Sequence, residues 1–136
     1  SQFQSGLSPI YIGHYGSKYE IISTGNMVYM AKELAQKYRV GCIDIFRFPF
    51  DGELLGRMTE GSTLITLEEH FQAGGLGSAV VEALSDAGKT IPKIYRVGIK
   101  GDAQYSYTYG GRNLIREDYG IGMGRMEELL EGSDRQ

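Results

Sequence analysis

From Tyr19 to Val97 the chain alternates short apolar runs with stretches of helical spacing, and this alternation constrains the fold more than any other feature. Tyr19 to Ser23 (YEIIS), Val40 to Ile45 (VGCIDI), Ser62 to Leu67 (STLITL) and Lys93 to Val97 (KIYRV) each have the length and side chains of a strand. Between them, Met27, Met30, Ala31, Leu34 and Ala35 share one helical face, and Leu76, Ala79, Val80, Ala83 and Leu84 share another. Past Pro49, Asp51 starts a short helix over Gly52 to Met58. Strands and helices in alternation build a mostly parallel sheet with helices on both faces.

An upstream run, Ser8 to Gly13 (SPIYIG), supplies a fifth strand. Its link to Tyr19 is too short for a parallel crossover, so the two runs are expected to form an antiparallel hairpin at or near a sheet edge. Thr24 and Gly25 then turn into the first helix, with Asn26 as its cap. Gly75 to Ala87 is the second long helix, and the tail carries helical pieces at Arg112 to Tyr119 and Gly124 to Leu130. The expected architecture is one α/β domain over residues 1–136, with a core from about residue 8 to residue 131: a three-layer sandwich whose five-stranded sheet has one antiparallel strand. The 20 glycines fall at the ends of these elements, the placement of tight turns rather than of a disordered tract.

Charge and apolar content remove whole classes of function. A formal charge of -3 argues against nucleic acid as a partner, because phosphate binding needs an excess of Lys and Arg. No apolar run approaches the roughly 20 residues that span a bilayer. Ser1 to Gly6 is polar, unlike the apolar segment of a secretory signal. The single cysteine, Cys42, lies in an apolar run and reads as a buried, inert thiol; the expected setting is the cytoplasm.

The most distinctive segment is Thr63 to Leu84, TLITLEEHFQAGGLGSAVVEAL. Two carboxylates and an imidazole follow a strand, and a glycine cluster then opens a helix. Gly75-Leu76-Gly77 resembles half of a dinucleotide fingerprint, but Val80 stands where the third glycine belongs, and the glycines begin well past the strand end. No P-loop is present. Glu68, Glu69 and His70 are candidates for acid–base work or for a metal. A metal is disfavoured, since the only other histidine, His14, lies in the expected hairpin turn and no cysteine cluster exists. The simpler reading is that one carboxylate braces the strand-end turn by accepting backbone N–H groups near the helix start at Gly75, or that the turn contacts another subunit. Gly75 and Gly77 are expected to be needed for close packing of loop and helix.

On this segment, with its Gly74-Gly75-Leu76-Gly77-Ser78-Ala79-Val80 run, the chain resembles the C-terminal domain of the transketolase family. The Glu68-Glu69-His70 form is similar to transketolases split into two chains and to 1-deoxyxylulose-5-phosphate synthases. Ile21 to Asn26 (IISTGN), Asp44 to Leu54 (DIFRFPFDGEL) and Tyr119-Gly120-Ile121 with Met126 and Leu129 extend the resemblance from about Tyr19 to Leu130. Phe48 and Phe50 around Pro49, and the tyrosines at 105, 107 and 109, depart from the family's pattern. The resemblance implies a module of an enzyme that uses thiamine diphosphate and Mg to transfer a two-carbon ketol unit between sugar phosphates. The synthases, or the β chain of a 2-oxoacid dehydrogenase, stand as alternatives within the family. Cofactor and metal would be held by other domains, in the same chain or in a separate subunit, within a homodimer. No catalytic, cofactor or metal residue is thereby assigned to this chain, and alone it is expected to be inactive.

Tyr105, Tyr107 and Tyr109 repeat with period two, so their rings would share one face of an extended segment. They form either a binding or subunit-contact surface or an ordinary edge packed over the core. From a different class, a free-standing ligand-binding or regulatory module would use the crevice near Gly25 and Gly75, at the C-terminal ends of the strands.

Overall fold

A computed structural model describes residues 5–13, 17–69, 75–99 and 120–134. Its elements are β1 (Leu7–Tyr11), β2 (Tyr19–Ser23), α1 (Val28–Tyr38), β3 (Gly41–Ile45), α2 (Gly52–Met58), β4 (Thr63–Glu69), α3 (Gly75–Asp86), β5 (Ile94–Ile99) and α4 (Gly120–Asp134). A short 3-10 turn, Gly25–Met27, leads into α1. The sheet runs β1-β3-β2-β4-β5. β2, β3, β4 and β5 are mutually parallel, and β1 lies antiparallel on β3. The mixed five-stranded α/β sandwich is the architecture that the alternation implied.

Each sheet face buries its own set of side chains. Ile21, Cys42, Ile65, Val97 and Ile99 pack under α1 and α4, which contribute Ala31, Leu34, Ala35, Met126, Leu129 and Leu130. On the opposite face, Leu7, Ile22, Ile43, Ile45 and Leu64 meet Leu55 of α2 and Leu76, Val80 and Leu84 of α3. Neighbouring residues of β2, Ile21 and Ile22, are both fully buried on opposite faces, the signature of a strand covered on two sides. Each such Leu or Ile contributes about 1.5–3 kcal/mol of burial, so no surface feature rivals the two cores in fixing the sheet.

Three expectations need correction. The β1–β2 hairpin does not form, because β2 has β3 on one side and β4 on the other. Being antiparallel, β1 ends at the edge where β2 begins, so the link between them crosses only the start of β3. Two strand spacings are about 10 Å, which even a short link spans. Gly13 marks the crossing: a Cβ there would come within 2.7 Å of the Gly41 amide nitrogen and 2.8 Å of the Val40 carbonyl carbon. Asn26 caps no helix; it lies within the 3-10 turn, and α1 begins after Met27 without a side-chain cap. β4 runs two residues further than expected, so Glu68 and Glu69 end a strand instead of occupying a turn. The helical piece expected at Arg112 to Tyr119 lies outside the described residues.

The short helix follows its sequence signals. Asp51 Oδ1 accepts the Leu54 amide at 3.0 Å, a side-chain cap at the start of α2. The loop before it is tied to the residues that lead into β1, since the Phe46 amide donates to the Gly6 carbonyl at 2.9 Å and the Asp51 amide to the Ser5 carbonyl at 2.8 Å. This anchoring holds Phe46 to Phe50 at the C-terminal edge of the sheet.

Candidate functional site

The chain leaves β2, builds β3 on one side of it, and then returns to build β4 on the other. The helices that follow the neighbouring strands β2 and β4, α1 and α3, therefore lie on opposite faces of the sheet, and a crevice opens between these two strands at their C-terminal ends. Doubly wound sheets bind ligands at this switch point. Here the crevice is a cleft of about 680 Å³ lined by Thr24, Gly25 and Asn26 after β2, Phe48 after β3, Glu68 and Glu69 of β4, and Gly75 and Leu76 of α3.

Local chemistry sets each wall. Gly25 has φ +59, a left-handed turn that a residue without a Cβ adopts freely. Thr24 Oγ1 donates to the Ile45 carbonyl at 2.6 Å and so ties the end of β2 to the end of β3. Glu68, only 2% exposed, accepts the Leu76 amide on Oε1 at 3.1 Å. That carboxylate satisfies one of the N–H groups at the start of α3 and places negative charge at the positive end of the helix dipole. Glu69, one residue on, points the other way along the pleat, and its Oε1 accepts Asn26 Nδ2 at 3.3 Å across the cleft.

A phosphate at such a position would bind the first-turn amides of the helix. Glu68 already holds one of them. Among the described residues, the lining carries two carboxylates and no lysine or arginine. The described lining is thus acidic, and it includes Phe48, 51% exposed and edge-on to Phe50 at 5.7 Å between ring centroids.

Of the residues singled out from the sequence, the structure brings together Glu68, Glu69 and Gly75. Gly77, in the first turn of α3, faces β5 instead: a Cβ there would meet Arg96 Nε at 2.6 Å and Cδ at 2.9 Å. Gly75 is not sterically required, since the nearest atom to a Cβ would be Glu68 Oε1 at 3.7 Å, an ordinary contact. His70, Gly74, Tyr105, Tyr107 and Tyr109 lie outside the described residues. Sequence reasoning gave Asn26 and Phe48 other roles, a helix cap and a departure from the family pattern. The adjacent Thr24-Gly25 turn was the available signal for Asn26, while nothing local announces that Phe48 reaches the ends of β2 and β4.

Cys42 is fully buried, and burial, with Glu20 and Asp44 nearby, pushes its thiol up to about 12. A thiol held in that state is no nucleophile at neutral pH. Among the described residues, no three His, Cys, Asp or Glu side chains converge on a metal position. Nor is there a helix among them long and apolar enough to cross a membrane.

A mostly parallel sheet between two helical layers, with a cleft at its switch point, defines a doubly wound α/β domain. Residues 11–117 match the family described as transketolase, C-terminal domain, and the chain belongs to that family. Among the proteins it is similar to are three 1-deoxy-D-xylulose-5-phosphate synthases. That of Francisella philomiragia is 30% identical over 120 residues, 85% of this chain and 19% of the relative. That of Heliobacterium modesticaldum is 32% identical over 130 residues, 88% of this chain and 20% of the relative. That of Acidobacterium capsulatum is 33% identical over 124 residues, 86% of this chain and 19% of the relative. The chain spans about a fifth of the length of the curated relatives it matches.

Proposed function

We propose that this chain is the C-terminal module of a thiamine-diphosphate-dependent enzyme of the transketolase type, and that it serves assembly rather than chemistry. Within the family, the named relatives favour a 1-deoxy-D-xylulose-5-phosphate synthase over a sugar-phosphate transketolase. The observation that carries the assembly role is the commitment of Glu68. This buried carboxylate is turned onto the Leu76 amide and braces the start of α3, which is a structural use of the most chemistry-like residue in the chain.

The described residues do not fit the cofactor. Magnesium bound to a diphosphate needs several oxygen ligands converging on one point, and the described residues offer no such set. The acidic lining of the cleft would also repel a diphosphate. Thiamine diphosphate and Mg are therefore assigned to the other domains of the enzyme, whether in one polypeptide or in a partner subunit, within a homodimer. No chemical step is assigned to residues of this chain. Isothermal calorimetry of the chain with thiamine diphosphate and MgCl2 tests the reading. No heat of binding is expected, and micromolar affinity would overturn it.

A further inference from the structure

We propose that the cleft between β2 and β4 receives a guanidinium group carried by another polypeptide, an arginine side chain seated between the Glu69 carboxylate and the ring of Phe48. The sign of the occupant follows from charge. In this topology the cleft commonly takes an anion at the helix start; here Glu68 occupies that position from within the chain. Glu69 adds a second carboxylate. It takes a 3.3 Å hydrogen bond from Asn26 and forms no ion pair among the described residues. With no lysine or arginine among the described lining residues, the cleft favours a cation.

The shape of the occupant follows from the walls. A guanidinium is planar, donates two parallel hydrogen bonds to a carboxylate and stacks on an aromatic face, whereas an ammonium is a compact point charge. Glu69 supplies the carboxylate and Phe48 an exposed ring on the lining of the same cleft. That the group arrives on a protein follows from exposed aromatic residues close in sequence to the lining residues. Phe46, two residues before Phe48, is 45% exposed, and Tyr29 in the first turn of α1 is 80% exposed. Exposed aromatic side chains are enriched at protein interfaces, where arginine is also enriched.

The proposal rests on the assembly reading only for which polypeptide brings the arginine; the preference of the cleft belongs to this chain. It is tested by amide-shift NMR of the 136-residue chain titrated with N-acetyl-arginine amide, N-acetyl-lysine amide or inorganic phosphate. Saturable shifts at Asn26, Glu69 and Leu76 are expected with the arginine amide. Phosphate should leave those amides in place. Glu69→Gln, at a partly exposed position outside both cores, should weaken arginine-amide binding about fivefold or more, and Phe48→Leu should weaken it while keeping the loop apolar. The proposal is overturned if those amides do not move at about 100 mM arginine amide, well above a millimolar dissociation constant. Equal binding of the lysine amide, shifts with phosphate in their place, or unweakened binding by Glu69→Gln would each overturn it as well. A chain that fails this titration can still complement a synthase, so the two readings fail separately.

Discussion

Burial lifts the Glu20 carboxyl from an ordinary 4.5 to about 7. The residue sits in β2 on the same face as Ile22, opposite Gly41 of β3, and a Cβ at Gly41 would take the space its carboxylate fills. The folded state therefore holds a proton that the unfolded chain releases. Because the folded value lies above the unfolded one, the contribution to stability is fully present below pH 4.5 and is lost as pH rises through about 7. Asp44, raised by burial as well, acts in the same direction, so a variant is needed to isolate Glu20. Chemical denaturation at pH 5 and pH 8 should show the wild type losing on the order of 1–3 kcal/mol more than Glu20→Gln over that interval. Equal pH dependence in the two proteins would mean that the carboxyl is solvated in the folded state. At this scale the sequence was only partly legible. The Glu68–Glu69 pair was visible because charge at the end of an apolar run is unusual. Glu20 was not, because one acidic residue within an apolar run does not announce that a neighbouring strand will present a glycine for it to lie on.

Helices α2 and α3 meet through a glycine that carries no motif. A Cβ at Gly52 would overlap the Ala83 carbonyl oxygen, a backbone atom that cannot swing aside. Gly77 is crowded instead by the side chain of Arg96, and Gly75 is not crowded at all. Thermal unfolding should rank the variants accordingly. Gly52→Ala and Gly77→Val are each expected to cost about 1–3 kcal/mol, the range of overpacking, whereas Gly75→Ala should stay within about 0.5 kcal/mol. A Gly52→Ala midpoint equal to wild type would show that the two helices are free to separate. Helix and strand positions were legible because their periodicities differ, and Asp51 marked the start of α2 through its capping chemistry. The partner of β1 was not legible. The short link correctly excluded a parallel crossover, yet it did not decide between the neighbouring strand and the next one, and the side of β3 away from β2 is where β1 pairs and becomes the sheet edge.

Across the whole molecule, strand order decides where a site can exist. With β3 and β4 on opposite sides of β2, the loops after β2 and β3 and the start of α3 enclose one cleft, and Thr24, Phe48 and Glu68 meet there from distant parts of the chain. The alternation of elements implied the sandwich, and the Thr63–Leu84 segment carried the family. Which side chains line the cleft emerged only with the packed loops. On the proposed reading, this chain completes a larger thiamine-diphosphate enzyme without supplying its chemistry. The most direct measurement is the steady-state activity of a chimera in which this chain replaces the matching fifth of the Heliobacterium modesticaldum synthase. Turnover within about tenfold of the parent, a loss of roughly 1.4 kcal/mol or less in the barrier, is the expected result. A folded chimera that binds thiamine diphosphate and Mg but shows no turnover would contradict the claim.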